Sequence, residues 1–148
     1  PHGALYNTAA HTHALAAAIA RGVARFDRRL PLVGLSGSQA MQQAAGENGL
    51  RFVPEAFADR GYNPDGTLVS RQLPNALITD PEQAAAQAVL MATARVVLAH
   101  DGTRVPIAAE TICLHGDNPS AVANARAVRQ ALLAAGVEVT RLLDADKR

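Results

Sequence analysis

The sequence predicts an α/β fold built from parallel strand–helix units. Short apolar runs alternate along the chain with longer amphipathic stretches, and polar side chains cluster directly after several of the apolar runs. Of the 148 residues, 49% are hydrophobic and 18% are charged, an ordinary balance for one globular domain. Such units form either an open, doubly wound sheet or part of a closed barrel, with ligands bound at the carboxyl ends of the strands. We therefore expect a single domain over residues 1–148 with its site at that edge.

The first part of the chain predicts two helices and two strands. The elements are a helix over residues 8–26, a strand over 31–36, a helix from 38 to about 49 and a strand over 51–56. Leu15, Ile19 and Val23 recur at the spacing of one helix face, and Asn7 or its neighbour can cap that helix. The strands are short apolar runs, and Gly49 can adopt the left-handed conformation that ends a helix.

The second part of the chain predicts a long loop, two helices and two strands. The elements are a turn at 63–66, a helix from 81 to about 99, a turn at 101–102, a strand over 111–114, a helix from about 118 to 136 and a last strand over 137–142. Asp80 can cap the first of these helices, with Pro81 at its first position. Asn118 starts the second helix and Gly136 ends it. Strands therefore alternate with helices throughout.

Charge, cysteine content and hydropathy exclude several classes of protein. The formal net charge is +1 and the basic residues are scattered, so no nucleic-acid partner is expected. Cys113 is the single cysteine, which excludes a disulfide-stapled scaffold and fits a reducing cytoplasm. The longest apolar stretches are shorter than the roughly 20 residues of a transmembrane helix, so no membrane partner is expected. The chain begins at Pro1 without a methionine, and we therefore interpret it as a fragment.

His115, Gly116 and Asp117 form the sharpest local signal. Two titratable side chains lie directly after the apolar strand predicted over 111–114, and the glycine between them leaves room for a ligand. The free amides at the start of the next helix, near Asn118, add a site for an anion. The alternative role is structural, because Asp117 or Asn118 can serve only as the helix cap, although capping does not explain His115.

His2 and Asn7 form a second candidate group at the start of the chain. We expect His2 to follow a strand supplied by preceding residues, and Gly3 lets a ligand approach closely. A neutral imidazole there could bind a metal, move a proton or stabilise an oxyanion, or it could only bridge neighbouring loops. Asn7 could donate to a substrate, but helix capping is the simpler explanation.

Glu55, Asp59 and Arg60 combine possible bases with a cation. Their spacing places the two carboxylates on one face whether the segment is extended or helical, and a carboxylate pair suits general acid–base catalysis. Arg60 can hold a carboxylate or phosphate through two parallel hydrogen bonds, and Arg71 could do the same. The structural alternatives are an Asp–Arg ion pair that fixes the loop and a solvated Arg71.

Four segments of the sequence resemble the LamB/YcsF family. They are Pro-His-Gly-Ala-Leu-Tyr-Asn at 1–7, Glu-Ala-Phe-Ala-Asp-Arg-Gly-Tyr at 55–62, Leu-Val-Ser-Arg at 68–71 and Thr-Ile-Cys-Leu-His-Gly-Asp at 111–117. The resemblance covers essentially the whole chain, with the motifs in order. It implies a TIM-like (β/α) barrel of the glycoside hydrolase and deacetylase type. Residues 1–148 would form its C-terminal part, with the N-terminal half outside this sequence.

The same resemblance implies one subunit of an ATP-dependent 5-oxoprolinase, which hydrolyses 5-oxoproline to L-glutamate together with two partner subunits, B and C. The residues then expected to be catalytic are His2, Glu55, Asp59, His115 and Asp117, and those expected to bind substrate are Asn7, Arg60, Arg71, Gly116 and Asn118. Among these, Arg60 or Arg71 would anchor the substrate carboxylate. Either Asp117 or Glu55 would be the base. The sequence has no Gly-x-x-x-x-Gly-Lys-Ser/Thr loop, so ATP is bound in a shared site or on a partner.

Two alternative functions follow from the same residues. A barrel of the deacetylase type could use a divalent metal to activate water, with His2, His115 and Asp117 as possible ligands. Their spacing is weak for a metal site, and further ligands would come from outside this sequence. The non-enzymatic alternative is an inactive barrel fragment that acts only in assembly through its exposed apolar edges.

Overall fold

The computed structural model describes residues 1–142 of the chain, which fall into two compact units. The first unit spans Pro1–Glu55, and the second begins at Ala56. The first unit contains α1 (Gly3–Ala9), α2 (His13–Phe26), β1 (Leu32–Leu35), α3 (Gln39–Glu47) and the start of β2 (Phe52–Phe57). The second contains the end of β2, then α4 (Pro81–Ala94), β3 (Val96–Leu98), β4 (Arg104–Pro106), β5 (Thr111–Cys113) and α5 (Ala121–Ala134). The single domain over residues 1–148 stays a prediction.

The first unit packs alanine-rich helices against a parallel strand pair. β1 and the start of β2 run parallel, with Leu32 opposite Phe52 and Leu35 opposite Glu55. The strands predicted over 31–36 and 51–56 are therefore confirmed, and so is their parallel direction. The core of this unit is made largely of small side chains from α2 and α3, which let the two helices approach closely. Met41 is the largest of its fully buried side chains.

The long helix predicted over residues 8–26 is wrong at its start. The chain instead forms two helices, α1 and α2, separated by a turn around Ala10. The hydroxyl of Ser38 donates to the carbonyl oxygen of Ala10 at 2.8 Å, so a side chain from the start of α3 binds this carbonyl where the helix is interrupted. As a result, Asn7 lies inside α1 rather than capping a helix, and α2 begins after Thr12 without a side-chain cap.

The helix predicted from residue 38 is confirmed as α3. The hydroxyl of Ser38 accepts from the Met41 N–H at 3.1 Å and so caps the helix start. Gly49, two residues past the end of α3, has φ of +67°, the left-handed conformation expected there.

The second unit contains an antiparallel hairpin that the sequence did not predict. The helix predicted from 81 to about 99 begins correctly, with Asp80 as its cap, but ends at Ala94. Arg95 then adopts a left-handed conformation (φ +52°), and residues 96–98 form β3, which pairs antiparallel with β4. Val97 is fully buried against the hydrophobic cluster of this unit, so its tertiary contacts override continuation of the helix. The turn predicted at 101–102 connects these strands, with Gly102 at φ +86°.

The strand predicted over 137–142 is wrong. α5 ends at Ala134, Gly136 adopts φ of +75°, and the segment after it carries no strand assignment within the described residues. A strand requires a neighbour that accepts its backbone hydrogen bonds, and β-branched residues alone do not supply one. The strand predicted over 111–114 is confirmed as β5, and the helix predicted from about 118 begins slightly later, at Ala121.

The TIM-like barrel is not confirmed by the described strands. The parallel pair of β1 and β2 fits the predicted α/β class. The antiparallel pairing of β3 with β4 corrects the prediction that strands and helices alternate in parallel units throughout. No described helix is both long enough and apolar enough to cross a bilayer.

Candidate functional site

An aspartate and a histidine form the centre of the candidate site in the second unit. Asp59 follows the end of β2 and His115 follows the end of β5, so each lies just past the carboxyl end of a strand. The Ala58 N–H donates to the carbonyl oxygen of Cys113 at 3.1 Å, which brings the two strand ends together. The side chain of Asp59 is only 2% exposed, whereas that of His115 is 22% exposed. The carboxylate is therefore buried and the imidazole is partly open to solvent.

The carboxylate of Asp59 orients His115 through two of its N–H groups. Oδ2 accepts from the backbone N–H of His115 at 2.7 Å, and Oδ1 lies 3.0 Å from Nδ1 of the ring. Because an ionised carboxylate can only accept, this geometry places the ring proton on Nδ1 and leaves Nε2 as the proton acceptor. The imidazole also stacks on Phe57, with ring centroids 5.5 Å apart and an angle of 14° between the planes.

Two residues that the sequence analysis missed support this pair. The hydroxyl of Tyr62 accepts from the Phe57 N–H at 2.8 Å, and the side-chain amide of Gln87 donates to backbone carbonyls on both sides of Asp59. Tyr62 is fully buried in the core. The signal for Gln87 was available in the sequence, since it is a polar residue on the face of α4 that also carries Ala84, Ala88 and Met91.

Arg60 stabilises the long loop that follows β2 through hydrogen bonds to its backbone. Its side chain is buried; Nε donates to the carbonyl oxygen of Ala76 at 3.0 Å and Nη2 to that of Val69 at 2.7 Å. Burial lowers the pKa of the guanidinium, and the nearby charge of Arg71 lowers it further. Gly61 packs so closely against the loop that an added Cβ would overlap the carbonyl oxygen of Asn75.

Arg71 and Asp117 form an exposed ion pair near this site. Nη1 of Arg71 donates to Oδ2 of Asp117 at 3.0 Å, and the two side chains are 47% and 61% exposed. The hydrogen bond from Arg71 lowers the pKa of Asp117 below its usual value. A carboxylate stabilised in this way stays charged and is a weaker proton acceptor.

The turn after His115 contains one side-chain contact to its own backbone. Gly116 is exposed, and Nδ2 of Asn118 lies 3.5 Å from the carbonyl oxygen of His115. Oδ1 of Asn118 is buried, and the described residues give it no hydrogen-bond partner. α5 begins after Ser120 without a side-chain cap, so the predicted capping role of Asn118 is wrong.

The remaining predicted site residues lie in the first unit. His2 is exposed and precedes α1 without a side-chain capping bond, Asn7 is exposed within α1, and Glu55 is half-buried in β2. The structure therefore brings together Asp59 with His115, and Arg71 with Asp117. The catalytic and substrate-binding roles of the predicted residues stay predictions.

The alternative function of a metal-dependent hydrolase requires several metal ligands to lie close together. Across residues 1–142, no three histidine, cysteine or acidic side chains converge as a metal site. The metal-dependent alternative stays a prediction, because its further ligands were expected from outside this sequence.

Comparison with known proteins decides the family. The model described as the LamB/YcsF family matches residues 1–147. This chain belongs to the LamB/YcsF family. The resemblance carried by the four sequence motifs is thereby confirmed.

Relatives in the LamB/YcsF family are named as the A subunit of 5-oxoprolinase. The chain is 52% identical over 139 residues to the protein of that name from Chloroflexus aggregans and 50% identical to the one from Mycobacterium avium. In both cases the match covers 94% of this chain and 55% of the relative. The chain therefore spans about half the length of the curated relatives it matches.

A solved structure shares the fold. The crystal structure of a lactam utilization protein from Thermus thermophilus superposes with a TM-score of 0.85 at 47% sequence identity. The match covers 94% of this chain and 55% of that protein. At this identity, the likeness extends the family assignment to the three-dimensional arrangement of the elements.

Proposed function

We propose that this chain supplies a proton-transfer pair, Asp59 and His115, to a 5-oxoprolinase that opens the lactam ring of 5-oxoproline to give L-glutamate. The observation that carries the proposal is the buried carboxylate bound to Nδ1 of a partly exposed imidazole. The relatives, named as the A subunit of 5-oxoprolinase, supply the reaction class.

The chemistry of a lactam explains why such a pair is useful. An amide carbonyl is stabilised by resonance, so water attacks it only when the carbonyl is activated and the water loses a proton as it attacks. ATP, when bound by the assembled enzyme, would supply the phosphoryl group that activates the amide oxygen. Nε2 of His115 accepts the proton of the attacking water, and Asp59 stabilises the imidazolium that forms. The same imidazolium then returns the proton to the ring nitrogen as the C–N bond breaks. Opening of the phosphorylated ring would leave an acyl phosphate, and its hydrolysis by a second water would release inorganic phosphate and give L-glutamate.

Arg71 is the proposed anchor for the substrate carboxylate. It is exposed near the strand-end turn and presents a guanidinium that can hold a carboxylate through two hydrogen bonds. Arg60 was the alternative anchor, but its side chain is buried and donates to two loop carbonyls, whereas the ion pair of Arg71 with Asp117 is exposed and can be exchanged for a substrate carboxylate. We assign Arg60 to the loop and Arg71 to the substrate.

The proposal includes partner proteins. The relatives are named as one lettered subunit of an enzyme, which implies other subunits. We propose that these partners contribute to the ATP site, because the sequence carries no phosphate-binding loop of the P-loop type.

The test is 5-oxoproline-dependent formation of ADP and glutamate by the gene product that carries this chain, assayed with its candidate partner subunits. His115→Gln is the active-site variant, and His100→Gln, at an exposed histidine, is its matched control. We expect His115→Gln to lose at least about 100-fold in turnover, the usual contribution of a general base, and His100→Gln to keep wild-type turnover. Equal turnover by the two variants would refute the role of the pair.

A further inference from the structure

One glutamine side chain holds the backbone that carries Asp59. Nε2 of Gln87, on α4, lies 3.0 Å from the carbonyl oxygen of Phe57, 3.1 Å from that of Ala58 and 2.9 Å from that of Arg60. A carboxamide nitrogen carries two hydrogens, so one of them is shared between two acceptors. These three carbonyls lie on both sides of Asp59 in the chain.

The other backbone groups of this segment are bound by different elements. The Ala58 N–H donates to Cys113 of β5, and the carbonyl oxygen of Asp59 accepts from the Ile78 N–H at 2.9 Å. Those bonds attach the segment to the neighbouring strand and to the loop. Gln87 adds the attachment to helix α4, which packs firmly against α5 in the same unit.

We propose that Gln87 is a positioning residue for the proton-transfer pair. By fixing the carbonyls before and after Asp59, it sets the direction of the carboxylate and therefore the nitrogen of His115 that carries the proton. The oxygens of Asp59 reach both N–H groups of His115 within 3.0 Å, so a small rotation of this backbone would break one of the two bonds. The inference rests on the proposed use of this pair, but it concerns a geometry that can be measured without turnover.

The test replaces the donor and leaves the volume of the side chain in place. Gln87→Met has nearly the same length and no N–H group, and Gln83→Met is the matched control at an exposed glutamine of the same helix. Two-bond ¹H–¹⁵N correlations of the imidazoles report which nitrogen of each of the five histidines carries the proton. The spectrum of His115→Gln assigns the signal that belongs to His115.

We expect wild type and Gln83→Met to carry the proton on Nδ1 of His115, and Gln87→Met to lose this preference while its far-UV circular dichroism stays unchanged. Gln87→Glu is a second variant, which puts an oxygen where the donor was and should have the same effect. A wild-type tautomer in folded Gln87→Met and Gln87→Glu would overturn the proposal. Loss of the fold in both variants would overturn it as well, because Gln87 would then be a general requirement for folding.

Failure of the proposed function gives a different result. Wild-type turnover of 5-oxoproline by Asp59→Asn in the assembled enzyme would refute the use of the pair in catalysis. The tautomer of His115 and its dependence on Gln87 would be unaffected by that outcome.

Discussion

Replacing Asp59 by asparagine tests the centre of the proposed site. The substitution keeps the shape of the side chain and exchanges one carboxylate oxygen for an amide nitrogen. In the wild type the two oxygens face two donors, the backbone N–H of His115 at 2.7 Å and its Nδ1 at 3.0 Å. Asparagine keeps one oxygen and puts an amide nitrogen in place of the other. With the oxygen at the Oδ2 position, 2.7 Å from the backbone N–H and 3.1 Å from Nδ1, the amide nitrogen takes the Oδ1 position, where its hydrogens face Nδ1 at 3.0 Å.

The expected cost follows from these two contacts. A hydrogen bond to a charged group contributes about 1.5–3 kcal/mol, so losing one lowers the free energy of unfolding by about 2 kcal/mol. If the amide oxygen keeps the backbone N–H, the amide nitrogen forces Nδ1 to become an acceptor and moves the ring proton to Nε2. The base is then lost, and a wrong tautomer of this kind lowers turnover on the order of 10⁴-fold in the serine protease triad.

Two assays separate these effects. Urea denaturation measures the loss of stability, and 5-oxoproline-dependent ADP formation by the assembled enzyme measures the loss of turnover. Asp101→Asn is the control, since Asp101 is an exposed turn residue in the same unit. Destabilisation by Asp59→Asn with wild-type turnover would refute the reasoning, because the carboxylate would then be structural only.

Three further substitutions test the packing and charges around the site. Gly61→Ala should lower the free energy of unfolding by about 1–3 kcal/mol, because the added methyl group overlaps the loop backbone. Its control is Gly22→Ala, which lies in open space within α2 and should raise the free energy of unfolding by about 0.5–1 kcal/mol. Equal shifts in the urea midpoints of the two variants would contradict the predicted overlap. Asn124→Ala should lower the free energy of unfolding by about 1–3 kcal/mol, because the buried amide of Asn124 donates to a loop carbonyl at 3.2 Å. Gln130→Ala, at an exposed residue of the same helix, is the control and should change the urea midpoint little. An unchanged urea midpoint for Asn124→Ala would disprove this prediction. The hydrogen bond from Arg71 lowers the pKa of Asp117. The ion pair therefore stabilises the fold at neutral pH, and this stabilisation is lost as the pH falls through the lowered pKa. Asp117→Asn should therefore lower Tm slightly at pH 7, and this difference should shrink as the pH falls through the lowered pKa. A Tm difference that grew towards acid would contradict the sign.

Local chemistry explains which elements could be predicted. The start of α4 follows from Asp80, whose carboxylate accepts from the Glu82 N–H at 2.9 Å, and the start of α3 follows from Ser38 in the same way. These signals depend on atoms within one helical turn, so the sequence alone contains them. The interruption between α1 and α2 cannot be predicted in this way, because the carbonyl of Ala10 is bound by a side chain 28 residues further along the chain.

The same distinction applies to the candidate site. The strand ends after β2 and β5 can be predicted from the sequence, and they do carry Asp59 and His115. The pairing of these two side chains cannot, since it depends on hydrogen bonds between residues 56 positions apart. Arg60 is a possible substrate anchor by residue type, and its bonds to two loop carbonyls emerge only once the loop folds back.

By itself, the sequence determined the α/β class, the starts of α3 and α4 and the family, because caps, periodicity and motifs are properties of neighbouring residues. Only the tertiary structure decided that residues 96–98 leave the helix to form a hairpin and that residues 137–142 form no strand. It also decided that Gln87 reaches the backbone around Asp59. The physical reason is that strand pairing and side-chain positioning depend on partners brought close by the fold, and such partners leave little trace in the local sequence.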